Sequence, residues 1–138
     1  MNSIQIVSIL EKIFSKYDIL VGVLFGSYAK GTQKVTSDID IAFYPSSKFK
    51  VNDEIKLREE IEKKFSKYSI DIVNLKTSNN LELIFTIFKT GICIYERKES
   101  IFKTMKYNAW MDFTDFNSQY KELKERVREK QLQELLIV

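Results

Sequence analysis

The sequence predicts an α/β fold in which a small mixed sheet is flanked by helices. The chain has 138 residues, 44% of them hydrophobic and 30% charged, which suits a domain with a real hydrophobic core. Short β-rich segments alternate along the chain with segments of helical periodicity. The single Pro and four Gly argue against collagen-like or linker-rich architectures. Together these observations favour helices packed on a sheet.

The first half of the chain is predicted to contain one helix and two strands. Residues 3–17 place apolar side chains at steps of three and four, which is typical of an amphipathic helix. Residues 20–25 form an apolar, β-rich run that ends at Gly26. Residues 38–44 begin with alternating polar and apolar side chains and stop at Pro45. The second strand therefore has two chemically different faces over its first half.

The second half is predicted to add two more strands and further helices. Residues 52–67 form a charged helix with Asn52 and Asp53 as candidate caps. The remaining elements are a strand over 69–75, a helix over 80–89, a strand over 91–95 and a largely helical tail over 99–136. A break in this tail near residues 112–118 is left open.

The composition excludes several kinds of functional site. The chain has no His, so it cannot use a His general base, a His-containing triad or imidazole metal ligands. Its one Cys, Cys93, can form neither an internal disulfide nor a cysteine-built zinc site, and it lies between two isoleucines as a core residue would. Any catalytic metal must therefore be a hard cation bound by oxygen atoms.

Charge and hydropathy limit the partners. The net charge of +3 comes from interleaved Lys, Arg, Asp and Glu, so strong binding to duplex DNA is not expected. No apolar run approaches the ~20 residues that span a bilayer, and residues 1–5 lack the features of a signal peptide. We expect a cytoplasmic protein without a membrane partner.

Asp38 and Asp40 are the first candidate functional residues. Residues i and i+2 of a strand point to the same side, so these two carboxylates face one space while Ile39 faces the core. Such carboxylates repel each other unless a cation neutralises them, and Mg²⁺ suits an oxygen-only site. A solvated strand face is the alternative for an isolated Asp-x-Asp pair.

Two other features favour a functional site over a solvated face. Asp71 lies in an apolar strand, where a carboxylate at a buried edge is costly without a partner. If that strand is the neighbour of the Asp38–Asp40 strand, the three carboxylates converge. Gly26 and Ser27 lie at a strand-to-helix turn, where backbone N–H groups and a hydroxyl can bind phosphate oxygens.

These residues carry a resemblance to a known superfamily. Gly26-Ser27, ten intervening residues and Asp38-Ile-Asp40 match the Gly-Ser-x10-Asp-x-Asp signature of polymerase-beta-like nucleotidyltransferases. Within that superfamily the chain resembles the minimal nucleotidyltransferase (MNT) family, and Asp71 matches the third carboxylate. The resemblance implies a palm core plus C-terminal helices. The chain is then one nucleotidyltransferase domain over 1–138, with a core of about 5–96 and a helical tail of about 97–138.

The resemblance also implies an activity and roles for the matching residues. Members of the family transfer a nucleoside monophosphate, most often AMP from ATP, to a hydroxyl and release pyrophosphate. In this chain Asp38, Asp40 and Asp71 would be the catalytic and metal-binding residues for one or two Mg²⁺ ions. Gly26 and Ser27 would bind the distal phosphates of the ATP co-substrate. One departure is Asn74, which stands where many relatives carry a further acidic residue.

The resemblance further implies an antitoxin. Minimal nucleotidyltransferases commonly act beside a HEPN-family toxin ribonuclease, in a type VII-like system in which the antitoxin is a protein adenylyltransferase that modifies a toxin tyrosine. Two alternatives stay open: an antitoxin that neutralises its partner by contact only, and an enzyme that modifies a small molecule. The second is weakened by length, since such enzymes carry an extra domain.

An aromatic stripe in the tail bears on the partner. Its members recur at steps of three to four: Tyr107, Trp110, Phe113, Phe116 and Tyr120. Amphipathic helices usually bury such a stripe on their own domain, whereas unburied aromatics are favoured interface anchors. The sequence leaves open whether the stripe is core or interface.

Overall fold

The computed structural model describes the backbone of residues 1–137 and the side chains in that range except those of 116–121, 124, 128 and 135–137. Five helices and four strands follow one another in this part of the chain. They are α1 (Ser3–Ser15), β1 (Ile19–Phe25), α2 (Ser27–Lys30), β2 (Ile39–Pro45), α3 (Val51–Lys64), β3 (Ile70–Asn74), α4 (Leu81–Thr90), β4 (Ile92–Glu96) and α5 (Ile101–Ile137).

The four strands form one mixed sheet in the order β3-β2-β1-β4. β1 pairs antiparallel with both β2 and β4, and β2 pairs parallel with β3. The parallel pair requires a crossover, and α3 supplies it between β2 and β3. This arrangement confirms the predicted α/β fold with a small mixed sheet.

Helices cover the two faces of the sheet with two separate groups of apolar side chains. On one face, α1 and α3 pack Leu10, Phe14 and Leu57 against Ile41 and Phe43 of β2. On the other face, residues of α4 and α5 pack against alternate residues of the same strands; this group includes Ala42, Leu75, Ile87, Phe88 and Ala109. β2 therefore contributes to both cores, because its successive side chains point to opposite faces.

Helix starts agree with the predicted elements to within a few residues. Asn2 caps α1 by accepting from the backbone N–H of Gln5 at 2.9 Å, and Asn80 caps α4 in the same way. α3 differs from the prediction, since it begins at Val51 and not at the proposed caps. Asp53 instead accepts from the backbone N–H of Lys50 at 2.9 Å, inside the first turn.

α5 runs without interruption from Ile101 to Ile137, through residues 112–118, where the sequence alone leaves a break open. The segment contains no Gly or Pro, so nothing in the backbone chemistry stops the helix. No helix in the described part of the chain combines the length and apolar character that a bilayer crossing requires.

The aromatic stripe of α5 divides between buried and exposed positions. Phe113 is partly buried and stacks on Phe85 of α4, with ring centroids 4.8 Å apart. Tyr107 and Trp110 are 60% and 48% exposed. The stripe's last two members, Phe116 and Tyr120, lie outside the described side chains. The three described members of the stripe are therefore neither all core nor all surface.

Candidate active site

The turn after β1 lies directly against Asp40. Gly26 has φ +71° and ψ −150°, a backbone conformation that L side chains rarely adopt. A Cβ atom at Gly26 would lie 2.1 Å from Oδ2 of Asp40, so the position has no room for a side chain. Ser27 follows as the first residue of α2 and is partly buried. Only glycine allows the turn and the carboxylate to approach this closely.

Strand pairing brings two of the three predicted carboxylates side by side. Asp40 of β2 is the register partner of Asp71 of β3 in the parallel pair and of Phe25 at the end of β1. Register partners on adjacent strands point to the same face at about 4.8 Å spacing. The prediction that the Asp71 strand neighbours the Asp38–Asp40 strand is confirmed.

The three carboxylates differ in burial. Asp40 is partly buried, whereas Asp38, which immediately precedes β2, is exposed. Asp71 is also exposed, although the sequence suggested a buried-edge position. The reason is that β3 is the outer strand of the sheet, so solvent reaches its carboxylate from the open side.

The arrangement disfavours the ionised form of the Asp40 carboxyl. Partial burial raises the pKa of its carboxyl above the usual value, and the negative charges of Asp71 and then Asp38 raise that pKa further. A cation placed between these groups would remove the repulsion. The oxygen-only donor set fits Mg²⁺ by its chemistry.

The carboxylates are not gathered into a finished metal centre. Among the residues that the structure describes, no three His, Cys, Asp or Glu side chains are clustered closely enough to hold an ion as they stand. The magnesium site of Asp38, Asp40 and Asp71 therefore stays a prediction, supported by the register of β2 with β3 and by the raised pKa of Asp40.

Asn74, the departure from the family pattern, has a structural role. Its Oδ1 accepts from the backbone N–H groups of Lys76 at 3.0 Å and Thr77 at 3.3 Å, and its Nδ2 donates to Glu54. Asn74 is buried, and because it follows Asp71 by three residues on β3 it lies on the opposite face of the sheet. Asn74 thus holds the turn after β3, on the face away from the carboxylates.

A cavity of about 330 Å³ opens on the carboxylate face, between the sheet and helices α4 and α5. Tyr44 and Leu75 form its floor. Tyr44 follows Asp40 by four residues and Leu75 follows Asp71 by four, so both lie on the same face of the sheet as these carboxylates. Residues of α4 and α5 form the wall, and all but Asn108 and Asp112 are apolar. The wall residues are Leu81, Ile84, Phe88, Met105, Asn108, Ala109 and Asp112. Sequence reasoning missed this cavity because its residues come from four separated segments.

Cys93 has no part in this site. Burial first and then the nearby Glu96 carboxylate raise the pKa of its thiol to about 11. Its Sγ lies 3.5 Å from the carbonyl oxygen of Tyr95. The thiol is therefore protonated at neutral pH and is not an activated nucleophile. The predicted core position is wrong, because Cys93 is only partly buried and lies outside both groups of core side chains.

Together, the mixed sheet, the Gly26–Ser27 turn and the paired aspartates at its end define a nucleotidyltransferase palm. The family model described as polymerase beta, nucleotidyltransferase matches residues 8–100. The chain belongs to the polymerase beta nucleotidyltransferase family. A search of curated protein sequences found no match.

Solved structures show the same fold. The chain is similar to a toxin–antitoxin crystallised with AMP-PNP, with a TM-score of 0.70, 19% identity and coverage of 92% of this chain and 98% of that one. It is also similar to a chain in a complex of a tri-AMPylated Shewanella oneidensis HEPN toxin with an MNT antitoxin, with a TM-score of 0.69, 14% identity and coverage of 91% and 98%. At these identities the likeness establishes the fold.

Proposed function

We propose that the chain transfers AMP from ATP to a hydroxyl group in a Mg²⁺-dependent reaction and releases pyrophosphate. The observation that carries this proposal is the contact of Gly26 with Asp40, beside the register pair Asp40–Asp71. That contact brings a phosphate-binding type of turn and two carboxylates to one end of the sheet. Membership of a nucleotidyltransferase family supports the reaction class.

Each residue of the site has a proposed task. Asp38, Asp40 and Asp71 would hold one or two Mg²⁺ ions, which when bound neutralise phosphate charge during transfer. The Ser27 hydroxyl and the backbone N–H groups at Gly26 and Ser27 would donate to the distal phosphates of ATP. Asp71 would accept the proton of the acceptor hydroxyl. The acceptor oxygen bonds to the α-phosphorus while the bond from that phosphorus to pyrophosphate breaks.

We assign the nucleoside of ATP to the cavity on the carboxylate face. Four residues of strand separate the Cα atoms of Asp40 and Tyr44 by about 13 Å, so phosphates at the aspartates leave the nucleoside near this cavity. Its volume of about 330 Å³ is within the range of small-ligand sites. The apolar wall suits the faces of a base, and Asn108 and Asp112 are in place to hydrogen-bond its edge.

We propose a tyrosine of a HEPN toxin ribonuclease as the acceptor, which makes the chain a type VII-like antitoxin. The similar structures include one toxin–antitoxin described with AMP-PNP and one described with a tri-AMPylated HEPN toxin. The two matches cover 92% and 91% of this chain.

The test is co-expression with the protein encoded in the adjacent reading frame, followed by intact mass measurement of that partner. We expect the partner to gain the mass of one or more AMP units with the wild-type chain and none with Asp38→Asn. Asp115→Asn, at an exposed position of α5 away from the site, is the matched control and should transfer AMP normally. Equal gain with wild type and Asp38→Asn would refute the assignment.

The same experiment separates the alternative functions. A stable complex in which the partner is inactive but gains no mass would indicate neutralisation by contact only. Labelling of a small molecule from ATP, with no label on the partner, would indicate a small-molecule acceptor. Loss of transfer on chelation of Mg²⁺, with recovery on its return, checks the metal requirement.

A further inference from the structure

A second concave surface lies on the outer side of the α4–α5 pair, away from the sheet. Ile87 and Ala109 of these helices face the sheet and belong to its core. A cavity of about 400 Å³, here named the aromatic cleft, opens between other side chains of the same two helices. It is lined by Phe85, Lys89, Lys103, Lys106, Tyr107 and Trp110. None of these six residues lines the proposed nucleoside cavity.

The aromatic cleft exposes large rings in a fixed arrangement. Tyr107 is 60% exposed and Trp110 48% exposed, and their ring centroids are 6.2 Å apart. Phe85 is held by stacking on Phe113 at 4.8 Å, with the ring planes within 4°. Exposed apolar surface of this kind marks interaction sites, and Trp and Tyr are the side chains most often found as interface hot spots.

The charged side chains that line the cleft all have the same sign. Its lining includes three lysines and no carboxylate, and Nζ of Lys89 lies 5.6 Å above the centroid of the Phe85 ring. A partner that fills this cleft would therefore carry Asp or Glu around an apolar side chain. Such complementarity accelerates association and selects the partner's orientation.

The surroundings favour a protein over a single-stranded nucleic acid. A nucleic-acid groove must continue as a basic track for several nucleotides. The basic lining instead ends within the cleft, since the exposed residues one turn away are Glu82 on α4, three residues before Phe85, and the uncharged Thr114 on α5, four residues after Trp110. A phosphate backbone that leaves the cleft would therefore meet a carboxylate at Glu82 on α4 and no cation at Thr114 on α5.

We propose that the aromatic cleft is the docking site for the protein partner, and that it takes a large apolar side chain surrounded by carboxylates. This inference rests on the proposed function, because it assigns the surface by which the partner of that reaction is held. Docking and nucleoside binding are then carried by different residues of α4 and α5, which on α5 lie on opposite sides of the helix.

The test measures the dissociation constant of the purified complex with the adjacent-gene protein, at low and at high NaCl concentration. We expect Trp110→Ala to weaken binding by about 30-fold, as for a hot-spot residue. The double variant Lys103→Glu/Lys106→Glu should weaken binding by about tenfold at low salt and reduce its salt dependence. Mg²⁺-ATP affinity should stay at the wild-type value in both, which shows that the domain is folded.

Matched controls come from the exposed part of the same helix. Leu123→Ala removes an apolar side chain that is 59% exposed, and Lys130→Glu reverses an exposed charge. Both should bind the partner like wild type. Equal weakening by the controls, wild-type binding by the cleft variants, or no binding of the adjacent-gene protein to the wild-type chain would each overturn the proposal.

Two further outcomes separate this inference from the proposed function. If the partner binds through the cleft but never gains AMP, the docking site stands and the adenylyltransferase assignment fails. If the partner gains AMP and the cleft variants bind it normally, the reaction stands and the docking site fails. Binding of a short single-stranded RNA that Trp110→Ala abolishes, with partner affinity unchanged, would overturn the proposal in favour of a nucleic-acid site.

Discussion

The two faces of the sheet are built from the same strands but have different roles. Toward α1 and α3, β2 presents Ile39, Ile41 and Phe43, and all three are fully buried. Toward α4 and α5, the alternate positions of the same strand are Asp40, Ala42 and Tyr44, which run from a charged site to a cavity. One face is closed and apolar, and the other is open and polar at one end.

The difference shows how a small domain accommodates a costly site. Asp40 is held near two other carboxylates with its pKa raised, which is unfavourable for the folded state. The closed face offsets this cost with large side chains, among them Phe14, Phe43 and Phe65, that are almost completely buried. We therefore expect substitutions on the closed face to change stability, and those on the open face to change chemistry.

The largest effect should come from opening the closed face. Phe43→Ala removes a fully buried ring and should lower the free energy of unfolding by about 3–5 kcal/mol. Tyr44 is the next residue, lies on the open face and is half-buried. Tyr44→Ala should lower the free energy of unfolding by roughly 1–2 kcal/mol, because less buried apolar area is lost. Chemical denaturation of both variants measures the contrast, and equal losses would contradict the division between the faces.

The next effect concerns the turn that contacts Asp40. Gly26→Ala should reduce AMP transfer by about 100-fold, because the new methyl group displaces the Asp40 carboxylate from its place. Gly31→Ala is the matched control: Gly31 has φ +72°, but nothing lies within 4 Å of a Cβ there. It should lose about 1 kcal/mol of stability from backbone strain and keep its transfer rate. A similar loss of transfer rate in Gly26→Ala and Gly31→Ala would mean that backbone strain alone causes the effect.

A smaller effect should follow from filling the nucleoside cavity. Ala109→Leu extends a side chain into this space and should weaken ATP binding by about tenfold, since part of the volume for the base is lost. Affinity for inorganic tripolyphosphate, which has no nucleoside, should not change. Thr114→Leu, at an exposed position of α5, is the control. Calorimetry that shows the same loss for ATP and for tripolyphosphate would argue against a base in this cavity.

The smallest effect is a gain of stability on the open face. Asp40→Asn removes the charge whose pKa is raised, and should stabilise the Mg²⁺-free protein by roughly 0.5–1 kcal/mol after allowance for solvent screening. AMP transfer by this variant should be lost.

The pH dependence of that gain has a definite sign. Because the folded-state pKa of Asp40 lies above its usual value, the ionised carboxylate destabilises the fold at neutral pH. The difference in stability between Asp40→Asn and wild type should therefore shrink as the pH falls through the raised pKa toward the usual value of 3.8. Thermal unfolding across this range without Mg²⁺ measures it, and a difference independent of pH would contradict the electrostatic explanation.

Local patterns were sufficient to predict much of this site. The spacing of Asp38 and Asp40 predicts a shared face, because side chains alternate along a strand whatever it pairs with. The position of Gly26 at the end of an apolar run predicts a special turn, and its φ of +71° agrees. The family signature assigns these residues, and the family model match confirms the membership.

Other features depend on contacts between distant segments. The pairing of Asp40 with Asp71 and the exposure of Asp71 both follow from the place of β3 at the edge of the sheet. The nucleoside cavity and the aromatic cleft exist because α4 and α5 pack together on the sheet, which gives each helix a covered and an uncovered side.

The sequence by itself determined the α/β class, the alternation of β2 and the Gly-Ser and Asp-x-Asp positions, because these depend on local backbone chemistry and on periods of a few residues. Tertiary structure alone decided which carboxylates become neighbours and which aromatic side chains stay exposed. The physical reason is that burial, strand register and cavities are set by residues that are far apart in the chain. Their contacts form only when the sheet and its helices assemble.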